Sequence, residues 1–425
     1  MNEIINIILW VAYLISLYFS VFLLLVYLER KPSFRQESSS THLHKFPLVT
    51  VIIPAFNEEK TILRTLESVN NLDYPKEKLE VIVVNDGSKD DTENIVKKYI
   101  QDKPHFHLLS HPNCGKAASM NRALKLAKGE YFACLDADSF VDSFTLKKML
   151  HMYEQDPDPQ LVIITPAMKV YQPKNLLQRV QWLEYIIIIL IARISSQLDC
   201  LYVAPGPFSL YRTKAILELG GFSEGHLTED QEIAYRAQEK HYRIKQCPDG
   251  YVYTTAPKEI KPFYRQRKRW YLGSMICVYQ YKGIIANKKY GDFGLMQMIK
   301  NVLGFILSVT GIVLATYFVL RPLWNWMKNI ILIRFNLWEY LLNLKFKFNF
   351  MNFLLMDFKK IFIIIFLFLI GVFLFYWAHK NAQEKILRFG WIPLIPYFFF
   401  YYTLKGIILL LCTVEFVRRK KISWR

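Results

Sequence analysis

The chain has 425 residues, of which 52% are hydrophobic and 21% charged, with a mean hydropathy of +0.14. That mixture excludes a purely soluble domain and implies two or three units at this length, one of them water-soluble and others embedded in membrane. The formal charge of +18 gathers beside apolar stretches, at Arg30 and Lys31 and again at Arg418–Lys421, which argues for the charge bias of a membrane protein and against a nucleic-acid groove. The six cysteines are scattered and form no CxxC pair, so they indicate neither a zinc site nor a disulfide framework.

Ile4–Leu28 is almost uninterrupted apolar sequence, long enough to span a bilayer, and no basic region precedes it as in a signal peptide. Basic residues follow it, so the amino terminus is expected outside and the next domain in the cytoplasm. Residues 1–31 are thus read as a transmembrane helix and residues 32–47 as a linker.

From Leu48 to about residue 255 the pattern is α/β. Apolar strands are expected at Leu48–Pro54, Leu79–Asn85, Phe106–Leu109, Tyr131–Leu135 and Leu161–Val170. Helices are expected at Glu58–Asn70, from Asp90, and over Lys116–Lys128. This alternation predicts a Rossmann-like, mostly parallel sheet covered on both faces, with ligands at the carboxyl ends of the strands. Residues 174–198 read as a helix at the membrane interface inserted into that domain, and Glu224–Lys240 as a further helix with Thr228 as N-cap. Residues 256–290 form an expected interfacial segment, and residues 291–425 a transmembrane region. Its candidate spans are Ile299–Leu320, Ile361–Trp377 and Trp391–Val417, the last bent at Pro393 and Pro396. Trp324–Phe358 reads as an interfacial hairpin or one more span, and the charge bias of the carboxyl terminus favours the latter.

Four groups of residues carry chemistry. Asp86 ends the second strand before Gly87-Ser88, where a carboxylate can hold a nucleobase and ribose edge. Asp136-Ala137-Asp138 ends the fourth; its two carboxylates point the same way and suit Mg²⁺ or Mn²⁺ together with substrate phosphates. Thr228-Glu229-Asp230 opens a helix, where Asp230, with Glu229 in reserve, is the expected general base. In Arg265-Gln266-Arg267-Lys268-Arg269-Trp270, the residues Gln266, Arg269 and Trp270 share one helix face. The guanidinium can pair with a diphosphate and the indole can stack on a sugar, leaving Arg265, Arg267 and Lys268 free to form a basic belt. Each signal alone is weak: an Asp-Gly is commonly a turn, and an acidic helix start is common.

Together and in this order, the four groups resemble the membrane-integrated, processive members of glycosyltransferase family 2, the group of hyaluronan, chitin, cellulose and poly-N-acetylglucosamine synthases. The likeness covers about residues 48–280 and extends to Pro54-Ala55-Phe56-Asn57-Glu58-Glu59, Asn113-Cys114-Gly115-Lys116-Ala117, and Gly206-Pro207-Phe208. It implies a cytoplasmic GT-A domain on an α-helical membrane bundle, a UDP-sugar donor, a growing glycan acceptor, inversion at the anomeric carbon, and residence in the cell membrane as a multi-pass protein. Pro54, Asn57, Glu58, Asp86, Lys116, Asp136, Gln266 and Arg269 would serve the donor, and Asp138 with Asp136 the metal. Asp230 would be the base, while Trp270, Gly206 and Phe208 would face the acceptor. No large cytoplasmic segment follows the membrane region, so a cellulose synthase catalytic subunit is not expected; size and layout come closest to poly-N-acetylglucosamine and hyaluronan synthases. The rival enzyme reading is a single-transfer glycolipid synthase, resembling ceramide glucosyltransferases or polyprenyl-phosphate sugar transferases. A transporter or scaffold would need none of Asp86, Asp138, Asp230 and Arg269.

Overall fold

The computed structural model describes residues 2–36, 42–317, 321–332 and 357–418. Helix α1 (Asn2–Gln36) runs past the boundary expected at Lys31 and takes up the start of the expected linker, of which residues 37–41 lie outside the described residues.

The α/β unit then follows the expected alternation. It comprises β1 (Val49–Ala55), α2 (Ile62–Asn70), β2 (Leu79–Asn85), α3 (Thr92–Ile100), β3 (Phe106–Ser110), α4 (Lys116–Leu126), β4 (Tyr131–Cys134) and β5 (Phe140–Val141). It continues through α5 (Thr145–Gln155), β6 (Leu161–Val170), α6 (Leu176–Gln197), β7 (Ser209–Arg212), α7 (Thr213–Glu218), α8 (Glu229–Glu239) and β8 (Arg243–Thr254). Helix α9 (Ile260–Gln280) carries the Arg-Gln-Arg-Lys-Arg-Trp stretch.

The eight strands form one sheet in the order β3-β2-β1-β4-β7-β6-β8-β5. Strands β1, β2, β3 and β4 pair in parallel, as expected of continuous apolar runs such as Val-Thr-Val-Ile-Ile that are buried on both faces. The other half is mixed: β7 runs antiparallel between β4 and β6, and β5 pairs antiparallel with β8. Side chains alternate between two cores. Val51 and Ile53 pack towards α2 and α5, and Ile52 with Val84 towards α4 and α8. Helix α2 shows why it belongs there, since Ile62, Thr65, Leu66 and Val69 fall on one face and are all buried.

Helix α6, expected at the membrane interface, packs between the sheet and the membrane helices. Trp182, Ile186, Ile189 and Leu190 share a core with Ala167 and Val170 of β6 and with residues of the membrane helices. It starts in a capping box: Asn175 accepts from the Gln178 amide at 2.9 Å, and the Gln178 side chain reaches back.

Among the described residues, four helices are long and apolar enough to cross a membrane: Glu3–Arg30, Phe293–Leu314, Phe358–Asn381 and Leu394–Val417. They include α10 (Ile299–Ala315), α12 (Phe358–Asn381) and α13 (Tyr402–Val417); between them lies α11 (Arg321–Leu332). The described part of α11 is 12 residues, and the remainder of the stretch expected to hold a fifth span, residues 333–356, lies outside the described residues. Pro393 and Pro396, expected at a bend, stand at the start of the last span. They sit at its first turn, where a missing N–H costs nothing because those amides have no helical partner.

Candidate active site

The carboxyl ends of β1, β2 and β4 bring three turns together. The turn after β1 holds Asn57 in a left-handed conformation, φ 58°. Its amide donates to Ser88 Oγ at 3.0 Å and its side-chain oxygen accepts from the Lys89 amide at 2.8 Å. The Glu58 amide donates to Thr92 Oγ1 at 2.8 Å. Pro54, Asn57 and Glu58 are therefore laced to the turn after β2 as one surface.

Asp86 is buried, and its carboxylate serves the protein. It accepts from the backbone amides of Cys114 at 2.7 Å and Gly115 at 3.0 Å, with His111 Nδ1 3.4 Å away. Both oxygens fix the loop that starts α4, so Asp86 shapes the crevice through that loop. Gly87, at φ +71°, is required here because an added Cβ would lie 2.7 Å from the Asn113 amide nitrogen.

The anchored loop delivers Lys116 to the centre of the site. Its ammonium lies 2.6 Å from Asp136 Oδ1 and 3.0 Å from Glu229 Oε1. It thus joins two motifs that sequence separation hides. Burial would lower its pKa, but Asp136, Glu229 and Asp230 together hold it well above the usual lysine range. Gly206 passes close over this pair; a Cβ there would sit 2.9 Å from Lys116 Nζ and 3.1 Å from Asp136 Oδ2.

Asp230 and Glu229 open α8. Burial and the charge of Glu229 push Asp230 up to about 6, against the pull of Lys116 and Arg269. Burial acts on Glu229 in the same sense, but Lys116 and Arg269 outweigh it and hold Glu229 below the usual carboxylate range. Two adjacent carboxyls with pKa values driven apart is the pattern of an acid–base site. Thr228 stands at the N-cap position, but its hydroxyl makes no capping bond. Instead it faces Gly273 of α9, where a Cβ would lie 2.4 Å from Thr228 Oγ1. That close approach lets α9 bring Arg269 up to the carboxylates.

On α9 the expected face is only partly observed. Arg269 is exposed, Trp270 is half-buried, and Gln266 has a buried Oε1 with no hydrogen-bond partner, an acceptor awaiting a donor. Arg267 is corrected outright. It is 2% exposed, donates to Glu184 Oε2 at 2.5 Å, and stacks its guanidinium 4.3 Å from the centre of the Trp270 ring. Lys268 pairs with Glu415 at 2.8 Å. Neither is a free belt residue; only Arg265 keeps that description. One face of the Trp270 indole is therefore already covered.

Phe208 is corrected too. Its side chain is fully buried in the core with Val51 and Leu210, at φ 62°, and presents no surface to an acceptor.

Metal fit was tested on the donor groups. Among the described residues, Asp86, His111 and Cys114 are the group of three whose ligand atoms lie within 4.8 Å, but Asp86 is already engaged by two amides. Asp136 and Asp138 offer oxygen only, the donor set Mg²⁺ and Mn²⁺ prefer. Burial and the charge of Asp136 push Asp138 up to about 6, and burial raises Glu58 as well. A divalent cation would relieve that strain, so these residues fit one.

Residues 50–220 match the family described as glycosyl transferase family 2. Over those residues the chain is similar to family-2 glycosyltransferases. It is 30% identical over 226 residues to a poly-beta-1,6-N-acetyl-D-glucosamine synthase of Staphylococcus aureus (strain COL), covering 53% of this chain and 54% of that one. The chain thus spans about half the length of the Staphylococcus aureus relatives it matches. To the synthase of the same description from Staphylococcus epidermidis (strain RP62A) it is 25% identical over 397 residues, covering 93% of this chain and 90% of that one. Among solved structures, a mannosyltransferase from Pyrobaculum calidifontis in complex with GDP-Man and Mn²⁺ aligns with a TM-score of 0.52 and 23% identity. It covers 66% of this chain and 75% of that one, and shows the shared GT-A-like fold of the family-2 domain.

Proposed function

We propose that this chain is an inverting, metal-dependent membrane glycosyltransferase that uses a UDP-activated sugar, of the N-acetylglucosaminyl type named for its relatives, to elongate a polysaccharide and pass it through its own membrane bundle. The observation that carries the reading is the convergence of Lys116, Asp136, Glu229, Asp230 and Arg269 at one crevice beside the membrane helices. In support, the full-length alignment to the Staphylococcus epidermidis synthase runs through the membrane helices as well as the family-2 domain.

The donor lies across the turns after β1 and β2, with its diphosphate near Lys116 and Arg269. Asp138 and Asp136 would hold a divalent cation, which would supply neutralisation of the departing diphosphate. Asp230 takes the proton from the acceptor hydroxyl as that oxygen bonds to the anomeric carbon, and the bond from that carbon to the diphosphate breaks on the opposite side. Arg269 and Lys116 stabilise the released UDP. Trp270 presents its uncovered face to the acceptor sugar. A cavity of about 590 Å³ adjoins this helix, lined by Tyr271 and Ser274 of α9 together with Phe305, Ser308, Thr403 and Lys405 of the membrane helices. In this reading the catalytic domain faces the cytoplasm, where the donor is; the basic residues Arg30 and Lys31 after the first span support that side.

Purified protein in nanodiscs, given Mg²⁺ or Mn²⁺ and a panel of UDP-sugars, should release UDP from one of them and build a polymer. Asp230→Asn should abolish transfer while UDP still binds. A product of one sugar on one lipid would replace this reading with the single-transfer glycolipid synthase; no UDP release from any donor would sink it.

A further inference from the structure

Glu184 of α6 lies far from every chemical motif in sequence, yet it is buried and binds the motif helix directly. Its carboxylate accepts from Arg267 Nη1 at 3.3 Å and Nη2 at 2.5 Å, from Tyr401 Oη at 2.6 Å, and from the Lys405 ammonium. Tyr401 also accepts from Arg267 Nη2 at 3.2 Å. One acidic group therefore fastens three elements: α6 under the catalytic sheet, α9 with Gln266, Arg269 and Trp270, and the last membrane span. The Lys268–Glu415 pair ties α9 to that same span a second time.

A buried carboxylate that gathers a buried guanidinium and a partly exposed ammonium is costly to assemble and is not needed for packing, since apolar residues would fill the space at no electrostatic cost. Such groups earn retention when they fix one geometry. The geometry fixed here is identifiable, because Arg267 stacks on the Trp270 indole while bonded to Glu184. The indole thus takes its orientation from a carboxylate on a different helix, and that carboxylate is in turn held by the membrane span.

We propose that Glu184 is a positioning residue for the acceptor site: through Arg267 it locks Trp270 in the orientation that receives the growing chain, and through Tyr401 and Lys405 it couples that orientation to the last membrane span. The proposal rests on the glycan-elongating reading above. Glu184 touches neither donor nor metal residues, so its loss should separate elongation from donor use.

The test uses the full chain in nanodiscs. Glu184→Gln removes the charge and keeps the shape. It should shorten the product at least fivefold and raise the acceptor KM, with the donor KM within about twofold of wild type. Tyr401→Phe removes one donor only and should give a smaller change with the same split; it carries the test if Glu184→Gln does not accumulate folded. Hydrogen exchange over residues 265–271 should rise in both variants while residues 131–138 stay unchanged, a readout that requires no turnover. Unchanged product length with unchanged exchange in 265–271 overturns the proposal. So does a donor KM that rises in step with product shortening, the mark of general loosening. Wild-type protein that turns over no UDP-sugar but shows the local exchange change would refute the glycan-elongating function and leave the lock in place.

Discussion

The pH dependence of transfer is where the geometry makes its sharpest demand. Asp230 is pushed up to about 6 by burial and by Glu229, and as a general base it acts only when deprotonated. The sign follows directly: activity rises with pH through about 6. With that pKa about nine-tenths of the molecules carry the base at pH 7 and about one-eleventh at pH 5, so kcat/KM should fall roughly tenfold across that interval. A carboxyl at the ordinary aspartate value of about 3.9 would lose less than a tenth of its ionised form over the same range. Asp138 is also pushed up to about 6, by burial and Asp136, and its protonation would weaken the metal site. The two limbs separate with metal concentration, because a bound cation drags the Asp138 limb to lower pH and leaves that of Asp230 in place. The assay is UDP release at saturating Mg²⁺ from pH 4.5 to 8, repeated on Lys116→Met. Removing that ammonium takes away an attraction that lowers Asp230, so the limb should move up by on the order of one unit. A limb that disappears at saturating metal would assign it to Asp138. A midpoint below 5, or a Lys116→Met profile that does not move upward, would refute Asp230 as a buried base beside Lys116.

Three further outcomes are expected. Gly206→Ala places a methyl 2.9 Å from Lys116 Nζ and 3.1 Å from Asp136 Oδ2; it should lower kcat/KM for the donor about tenfold, the equivalent of one charge-assisted hydrogen bond, while stability by thermal melting changes by less than about 1 kcal/mol. Trp270→Ala should raise the acceptor KM several-fold and shorten the product with donor KM nearly unchanged, measured by titrating oligosaccharide primers; a collapse of donor affinity alone would contradict the stacking role. Phe208→Ala empties a fully buried core position and should cost about 3–5 kcal/mol in denaturant melts. Its folded fraction should keep the wild-type acceptor KM, whereas a residue lining the acceptor site would change it.

Much of the framework was legible because parallel strands buried on both faces read as continuous β-branched runs, as in Val-Ile-Val-Val before Asn85. Strand β8 was not, since Cys247-Pro248-Asp249-Gly250 in its middle spells a turn. The sheet absorbs those residues as a register shift, with Gln246 opposite Thr165 and Tyr251 opposite Ala167. Helix α5 carried a readable face in Leu146, Met149, Leu150 and Tyr153 that the chain-order reading does not assign. In the site, local motifs located Asp136, Asp230 and Arg269, because such motifs sit where strands end and helices begin. Pairings across the fold were invisible. Nothing in the spacing of Lys116 announces Glu229, and nothing in Arg267, read among neighbouring cations, announces Glu184 on α6. Phe208 was misread because a residue beside a tight Pro-Gly-Pro loop shares its motif without sharing its exposure.

The double pairing of Lys116 has a consequence for the loaded enzyme. Its one ammonium is shared between two carboxylates, Asp136 and Glu229, so a diphosphate that binds Lys116 competes with them and exchanges one partner for another. Affinity for the nucleotide is then a difference between two ion pairs and stays moderate, which favours prompt product departure. To the extent that Lys116 turns towards the diphosphate, its downward pull on Asp230 weakens and the Asp230 pKa rises. The limb in kcat, which reports the loaded enzyme, should therefore lie at higher pH than the limb in kcat/KM, which reports the free enzyme.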